Sequence, residues 1–385
     1  EKTAGDRLRG VLSSMTSNRF AGVVTGMGVT AVIQSSSATT VMVVSFVNAG
    51  LMTLRQAIGV IMGANIGTTV TAWIVAFIGF KMDVSALSLP LMAVAAPLLF
   101  MGKGKWKNFA ECIIGFALLF MGLNLLSEAA EAMEIGKHMG EWLTHIDVNA
   151  WWAIPLFLFA GMILTMAMQS SSASMAITLM LFDMNIPGFG LAQAAALAMG
   201  QNIGTTITAL LASFAGNTLA KRAALAHTLF NVFGVIIILC IFPLSIRATE
   251  ILDKVIFGDS SNNMYLLSIF HTCFNLFNTM VMIGFVGQIE KLICRLVPEK
   301  GEKEEKRLVY IWEGMLSTAE LSLYQAKKEV DVFATRCERM LTMVQELFHT
   351  TNDAQFDEVY TRISKYEGIT DNMEVEIAKY LQRVS

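Results

Sequence analysis

The chain has 385 residues, of which 54% are hydrophobic and only 15% are charged, and its formal net charge is −3. Its mean hydropathy of +0.56 argues against a soluble protein and is typical of a polytopic membrane protein. The five cysteines have no CxxC spacing, which argues against a disulfide framework or a zinc site.

The first apolar stretch is interrupted by a polar tip. Residues 20–49 are apolar on both sides of Gln34, Ser35, Ser36 and Ser37. A membrane-crossing helix needs about 20 apolar residues, and the tip leaves only about fourteen before it. We therefore predict a re-entrant hairpin, with residues 20–36 entering the membrane and residues 37–49 returning.

Three predicted crossings complete the first unit, which spans residues 1–138. Residues 57–80 are long enough to cross, but the motif GANIGTT at 63–69 lies inside them. Its glycines and β-branched residues predict a broken helix. Residues 87–101 and 109–127 are the other crossings, joined by a basic loop and followed by an acidic one.

Both polar motifs recur in a second unit, predicted over residues 139–297. QSSSA returns at 169–173, offset by 135 residues, and GQNIGTT at 200–206, offset by 137 at its asparagine. An internal repeat of this kind determines how the whole fold is interpreted. The predicted elements are a hairpin over 151–181, a broken helix over 192–215, and crossings over 223–246 and 266–289.

Charge placement predicts the orientation of the two units. With each hairpin returning to its own side, most Lys and Arg residues fall on one surface, which the positive-inside rule makes cytoplasmic. The first hairpin then enters from the cytoplasm and the second from outside, so the repeats are predicted to be inverted. A crossing precedes the second hairpin only, so we also expect an additional N-terminal helix in the natural protein.

Residues 298–385 are a predicted soluble tail. Residues 20–292 carry 23 charged side chains, whereas residues 301–385 carry 27 in a much shorter length. Apolar residues recur every three or four positions from 308 to 347, which predicts a long amphipathic helix. Residues 351–353 predict a stop and a new N-cap, followed by a second helix through 359–381. Two helices leave a bundle unfinished, so we expect an incomplete helical domain.

The motif residues indicate a transported anion and a coupled cation. Two hydroxyl-rich tips that enter from opposite faces would meet near the bilayer centre, where irregular backbone is tolerated only inside protein or around a cavity. Inverted repeats that bind substrate where they meet are a plan of secondary transporters. Helix N-termini with serine hydroxyls favour anions. No Lys or Arg occurs in either hairpin or either motif helix, so a bound anion requires co-bound cations.

The paired QSSS motifs with their GxNIGTT stretches resemble the type II sodium/phosphate cotransporter family, over roughly residues 1–290. The resemblance implies alternating-access transport of inorganic phosphate coupled to sodium ions, no enzymatic activity and no organic cofactor. It implies phosphate binding by Gln34, Ser35, Ser36, Ser37, Gln169, Ser170, Ser171 and Ser172. It implies sodium binding by Gln34, Asn65, Thr68, Thr69, Gln169, Ser172, Asn202, Thr205 and Thr206.

The tail is similar to the PhoU-like helical domain fused to bacterial members of that family. This resemblance implies a multi-pass protein of a bacterial inner membrane with a cytoplasmic C-terminal domain. Glu367 and Asp371 match the carboxylate spacing with which such domains hold a metal, although a solvated helix face often has the same spacing. The expected partners are phosphate, sodium and membrane lipid, with no nucleic acid, and a homodimer is compatible with the sequence.

Alternatives remain open. An anion channel could use the tips as a filter, and a phosphate sensor could signal through the tail. The serines could also only mediate helix packing. A serine hydrolase is disfavoured, because no G-x-S-x-G motif occurs. The motif H-T-x-F-N occurs at 227–231 and at 271–275, where packing between helices is favoured over a proton relay or a metal site.

Overall fold

The computed structural model describes residues 15–79, 84–101, 105–148, 150–214, 216–258, 262–298, 308–311, 319–350 and 352–384. All regular secondary structure in these ranges is helical, which confirms the predicted all-α class. Four helical segments are long and apolar enough to cross a membrane, namely Leu54–Phe77, Trp106–Ala132, Thr218–Cys240 and Asn263–Leu296.

The division into two units and a tail stays a prediction. The first predicted unit contains α1 (Arg19–Ile33), α2 (Ser36–Asn48), α3 (Leu54–Ile74) with a π-helical end (Val75–Gly79), α4 (Val84–Met101) and α5 (Lys105–Ala132), and α6 (Ile135–Thr144) crosses its predicted end at residue 138. The second contains α7 (Ala153–Met168), α8 (Ser171–Asp183), α9 (Leu191–Ser213), α10 (Thr218–Cys240), α11 (Phe242–Phe257), α12 (Asn263–Met282), a 3-10 turn (Ile283–Phe285) and α13 (Val286–Leu296). The tail contains α14 (Ala319–His349) and α15 (Asp353–Val384).

The two units share one mode of helix packing. The most extensive helix pairs are α1 with α3 and α7 with α9. A Cβ added to Gly63 would lie 1.9 Å from the Val23 carbonyl oxygen, and one added to Gly200 would lie 1.9 Å from that of Leu158. Only glycine permits such close backbone contact, so the repeated sequence gives a repeated packing.

The motif helices are not broken, and this part of the prediction was wrong. Helix α3 continues through residues 65–69, and α9 continues through residues 202–206. Asn65 and the motif threonines bond to their own helix, as when Asn65 Nδ2 donates to the Ile61 carbonyl (2.9 Å) and Thr205 Oγ1 to that of Gln201 (2.8 Å). The glycines serve helix contact instead of a break.

Two of the predicted crossings also require correction. The crossing placed over 223–246 ends at Cys240, because Pro243 cannot continue a helix but fits the first turn of α11. Helix α11 was not predicted, and its exposed side chains include Leu244 and Val255. The crossing placed over 266–289 changes at Met282 into the 3-10 turn and α13.

The tail helix begins later than its apolar spacing predicts. Residues 308–311 are not helical, and the backbone N–H groups of three of them bond to a side chain. The carboxylate of Glu329 on α14 accepts from Val309, Tyr310 and Ile311, with a shortest distance of 2.6 Å to the Tyr310 nitrogen. Burial raises the pKa of Glu329 above its ordinary 4.5, against the opposing effect of these donors and of Arg336. The part of the stability that depends on protonation of this group is therefore lost as pH rises from 4.5 through the raised pKa, while the hydrogen bonds to its oxygens remain.

Glu329→Ala is expected to release residues 309–311 from α14. Hydrogen bonds to a carboxylate contribute about 1.5–3 kcal/mol, so amide hydrogen exchange at Val309 and Tyr310 should accelerate by about tenfold or more. Glu338→Ala is the control, because Glu338 is exposed on the same helix. Equal exchange rates in Glu329→Ala and the unaltered protein would contradict the role of this carboxylate.

Candidate functional site

The two QSSS motifs have the same backbone geometry. Gln34 and Gln169 each end a helix in the left-handed region, with φ of 59° and 52°. The next serine caps the following helix, since Ser35 Oγ accepts from the Ala38 N–H (3.2 Å) and Ser170 Oγ from that of Ala173 (3.3 Å). Serine is a preferred N-cap residue, so the sequence Gln-Ser starts each new helix by a local signal.

The chain bends sharply at the first motif. Thr30 Oγ1 on α1 donates to Thr39 Oγ1 on α2 over 3.0 Å. Residues nine apart in a straight helix are separated by about 13 Å, so the two helices fold back at Gln34 and Ser35. Re-entrance into the membrane stays a prediction.

Four serine hydroxyls at these helix starts have no partner within the described residues. Ser36 and Ser37 open α2, and Ser171 and Ser172 open α8. Ser36 is buried, and the other three are half-buried. The first amides of each helix also lack carbonyl partners, and the helix dipole favours negative charge there. Each motif therefore presents hydroxyl and amide donors suited to an anion.

Each QSSS helix contacts the NIGTT helix of the other unit. Helix α2 packs against α9, and α8 packs against α3. Each also packs against the NIGTT helix of its own unit, and Gln201 Nε2 bonds to the Ser174 carbonyl (3.0 Å) and to Thr178 Oγ1 (2.6 Å). The helices that carry the four motifs thus form one cluster.

The threonines predicted to bind sodium act as hydrogen-bond donors within their own helices. Thr68, Thr69, Thr205 and Thr206 each donate Oγ1–H to a carbonyl of the same helix, at 2.8–3.1 Å. A hydroxyl whose proton is engaged in this way directs its oxygen lone pairs elsewhere. Such oxygens are suited to accept a hard cation.

The units differ at their glutamines and asparagines. Gln34 Oε1 accepts from Thr71 Oγ1 (2.9 Å), whereas the side chain of Gln169 is exposed and has no hydrogen-bond partner within the described residues. Asn65 bonds to its own helix. Asn202 instead bonds to Asn275 on α12.

Two contacting residues were not predicted as part of the site. Thr71 lies two residues after the first NIGTT motif, and Asn275 belongs to the second H-T-x-F-N motif. His271 of that motif lies 3.4 Å from Asn202 Oδ1, an inter-helix contact of the kind the sequence favoured. A sequence signal existed for Asn275, because both H-T-x-F-N motifs place an asparagine side chain within an apolar helix.

Two other features lie away from the motifs. Glu367 and Asp371 are both exposed on α15, and the described ranges contain no group of three His, Cys, Asp or Glu side chains able to hold a metal. That metal site stays a prediction. A cavity of about 220 Å³ between α10, α11 and α12 is lined mainly by apolar side chains, which suits no phosphate.

A family model described as Na⁺/Pi-cotransporter matches residues 1–128 and 131–256. The chain belongs to this family. Because the family is one of transporters, the expectation of no enzymatic activity agrees with it.

The chain is similar to proteins from bacteria and from mammals. The transporter is 33% identical to the uncharacterized protein YqeW of Bacillus subtilis over 70% of this chain and 82% of that protein. It is 29% identical to the putative inorganic phosphate export protein YjbB of Escherichia coli over 90% of this chain, and spans 61% of that longer relative. A segment of 64 residues, 17% of this chain and 9% of the relative, is 55% identical to human sodium-dependent phosphate transport protein 2B. No solved structure matches.

Proposed function

We propose that the transporter carries inorganic phosphate together with sodium by alternating access. The observation that carries this proposal is the pair of QSSS helix starts, each with serine hydroxyls that have no partner among the described residues. We assign phosphate to Ser36, Ser37, Ser171 and Ser172, with Gln34, Ser35, Gln169 and Ser170 around them. We assign sodium to the oxygens of Gln34, Asn65, Thr68, Thr69, Gln169, Ser172, Asn202, Thr205 and Thr206.

Coupling to sodium follows from charge balance. The helices α1, α2, α3, α7, α8 and α9 contain only Arg19 and Arg55 as basic residues. Arg19 donates to the Ile283 carbonyl, and Arg55 pairs with Glu290. Within these six helices, a phosphate dianion at the serines would therefore meet no free basic side chain, and burying an unpaired charge is very unfavourable. Co-bound sodium ions supply the missing positive charge.

The proposed topology follows from the repeat and from charge placement. We propose two inverted units, with re-entrant hairpins at α1–α2 and α7–α8, in the inner membrane of a bacterium. The tail lies in the cytoplasm as a PhoU-like domain. It touches the first unit, since Tyr324 on α14 packs with Phe46, Ala49 and Leu51 at the end of α2.

The direction of transport is a separate question. The YjbB relatives are named for phosphate export. A coupled carrier moves its substrates in whichever direction the combined gradients favour, so uptake and efflux are both expected in vesicles. Efflux from phosphate-loaded vesicles should also depend on sodium.

A proteoliposome assay tests the proposal. Radiolabelled phosphate should accumulate above its equilibrium level when sodium is high outside, and a sodium ionophore should abolish the accumulation. Replacement of sodium by potassium should stop it as well. Equal uptake in both salts would reject sodium coupling.

The same vesicles separate the alternatives. An ohmic anion current without accumulation would indicate a channel. Removal of residues 301–385 should leave phosphate flux intact in a transporter. A protein that acts only as a sensor should show no phosphate flux with or without these residues.

A further inference from the structure

The side-chain amide of Asn202 is held from outside its own helix. Its Nδ2 donates to Asn275 Oδ1 over 2.9 Å, and its Oδ1 lies 3.4 Å from His271 Nε2. Asn202, His271 and Asn275 are 7%, 2% and 0% exposed. Both ends of the amide therefore face polar atoms of α12 in a buried setting, where a hydrogen bond is electrostatically stronger than in water.

The hydrogen-bond chain fixes which atom carries each proton. The backbone carbonyl of His271 can only accept, so Asn275 must direct Nδ2 toward it, at 2.9 Å. Asn275 Oδ1 then accepts from Asn202, which turns Asn202 Oδ1 toward the imidazole. His271 Nε2 must therefore carry a hydrogen and donate it.

The first unit has no equivalent arrangement. Asn65 occupies the matching position, but its Nδ2 donates to the Ile61 carbonyl of the same helix. Helix α12 also packs against α3, yet none of its described side chains bonds to Asn65. The second NIGTT motif is thus the one whose asparagine is oriented by a neighbouring helix.

We propose that His271 and Asn275 are positioning residues for Asn202, holding its amide oxygen toward a sodium ion. This proposal rests on the proposed function, which makes Asn202 a sodium ligand. A carbonyl oxygen has two lone pairs, so Oδ1 can accept from His271 and still bind a cation. Partners that orient a ligand commonly raise ion affinity, since the free ligand otherwise samples unproductive rotamers.

Two substitutions at one position separate positioning from packing. The Nε2 of glutamine takes nearly the place of the histidine Nε2, whereas the shorter asparagine cannot reach Asn202. In proteoliposomes, His271→Gln should keep the sodium KM for phosphate uptake within about twofold. His271→Asn should raise it by about tenfold, with a smaller change in maximal rate.

His227 provides the matched control. It holds the same place in the first H-T-x-F-N motif, is fully buried, and neither of its ring nitrogens has a partner within the described residues. His227→Asn is expected to leave the sodium KM unchanged. If His271→Asn does not fold, as judged by size-exclusion chromatography, Asn275→Ser removes the acceptor of Asn202 Nδ2 and should raise the sodium KM similarly.

Each outcome decides one of the two proposals. Equal sodium KM values for His271→Gln and His271→Asn, or an equal increase in His227→Asn, would overturn positioning and leave sodium-coupled transport intact. Phosphate uptake by the unaltered protein that does not depend on sodium would reject the proposed function, and the positioning proposal with it. A tenfold separation between the two His271 variants supports positioning.

Discussion

Ser36→Ala and Ser171→Ala are each expected to reduce phosphate uptake by about 100-fold without unfolding the transporter. A hydrogen bond to a charged group contributes about 1.5–3 kcal/mol, and a loss at the upper end corresponds to roughly two orders of magnitude. Neither hydroxyl bonds to another described residue, so its removal leaves no buried protein group unpaired. The loss should therefore appear in phosphate transport and not in stability.

Ser45→Ala is the control on the same helix. Ser45 is completely buried on α2, but its Oγ donates to the Val41 carbonyl (2.9 Å) instead of lying at a helix start. Its variant should transport phosphate at the normal rate. Sodium-driven uptake in proteoliposomes, normalised to reconstituted protein, measures all three variants. A normal rate of phosphate uptake in either motif variant would show that the substituted serine does not bind phosphate.

The helix starts at the QSSS motifs follow from local sequence signals. The continuity of the NIGTT helices depends instead on tertiary contacts. Gln34-Ser35 and Gln169-Ser170 start new helices through a side-chain cap that involves four neighbouring residues. The stretch 63–69 has weak helix propensity, which predicted a break. Its two glycines instead allow close contact with α1, which a propensity argument does not include.

The contacts of Asn202 and of Glu329 were not predictable for a similar reason. His271 and Asn202 are 69 residues apart, and periodicity gives no information on which faces of α9 and α12 meet. In the tail, the apolar spacing continues through residues 308–311, so pattern alone extends the helix. The buried Glu329 carboxylate accepts hydrogen bonds from the amides of that segment and so competes with helix formation there.

Gly26→Ala is expected to destabilise the transporter by at least about 3 kcal/mol. The new Cβ would lie 2.0 Å from the Val60 carbonyl oxygen and 2.8 Å from its carbon. These are backbone atoms of α3, so no side-chain rotation relieves the overlap and the two helices must separate. Because α1 and α3 form one of the two most extensive helix pairs, separation also removes packing along their whole contact.

Gly28→Ala supplies the matched comparison two residues away on α1. Nothing lies within 4 Å of its added Cβ, so alanine should leave stability unchanged or raise it by up to about 1 kcal/mol through helix propensity. Thermal unfolding of the purified protein in detergent measures both, with a fall in Tm of about 5 °C expected for Gly26→Ala alone. Gly161→Ala should behave like Gly26→Ala, since its Cβ would lie 2.2 Å from the Leu197 carbonyl oxygen. A stable Gly26→Ala would mean that α1 moves away from α3 at little cost, and the shared packing of the two units would then not hold the QSSS motifs in position.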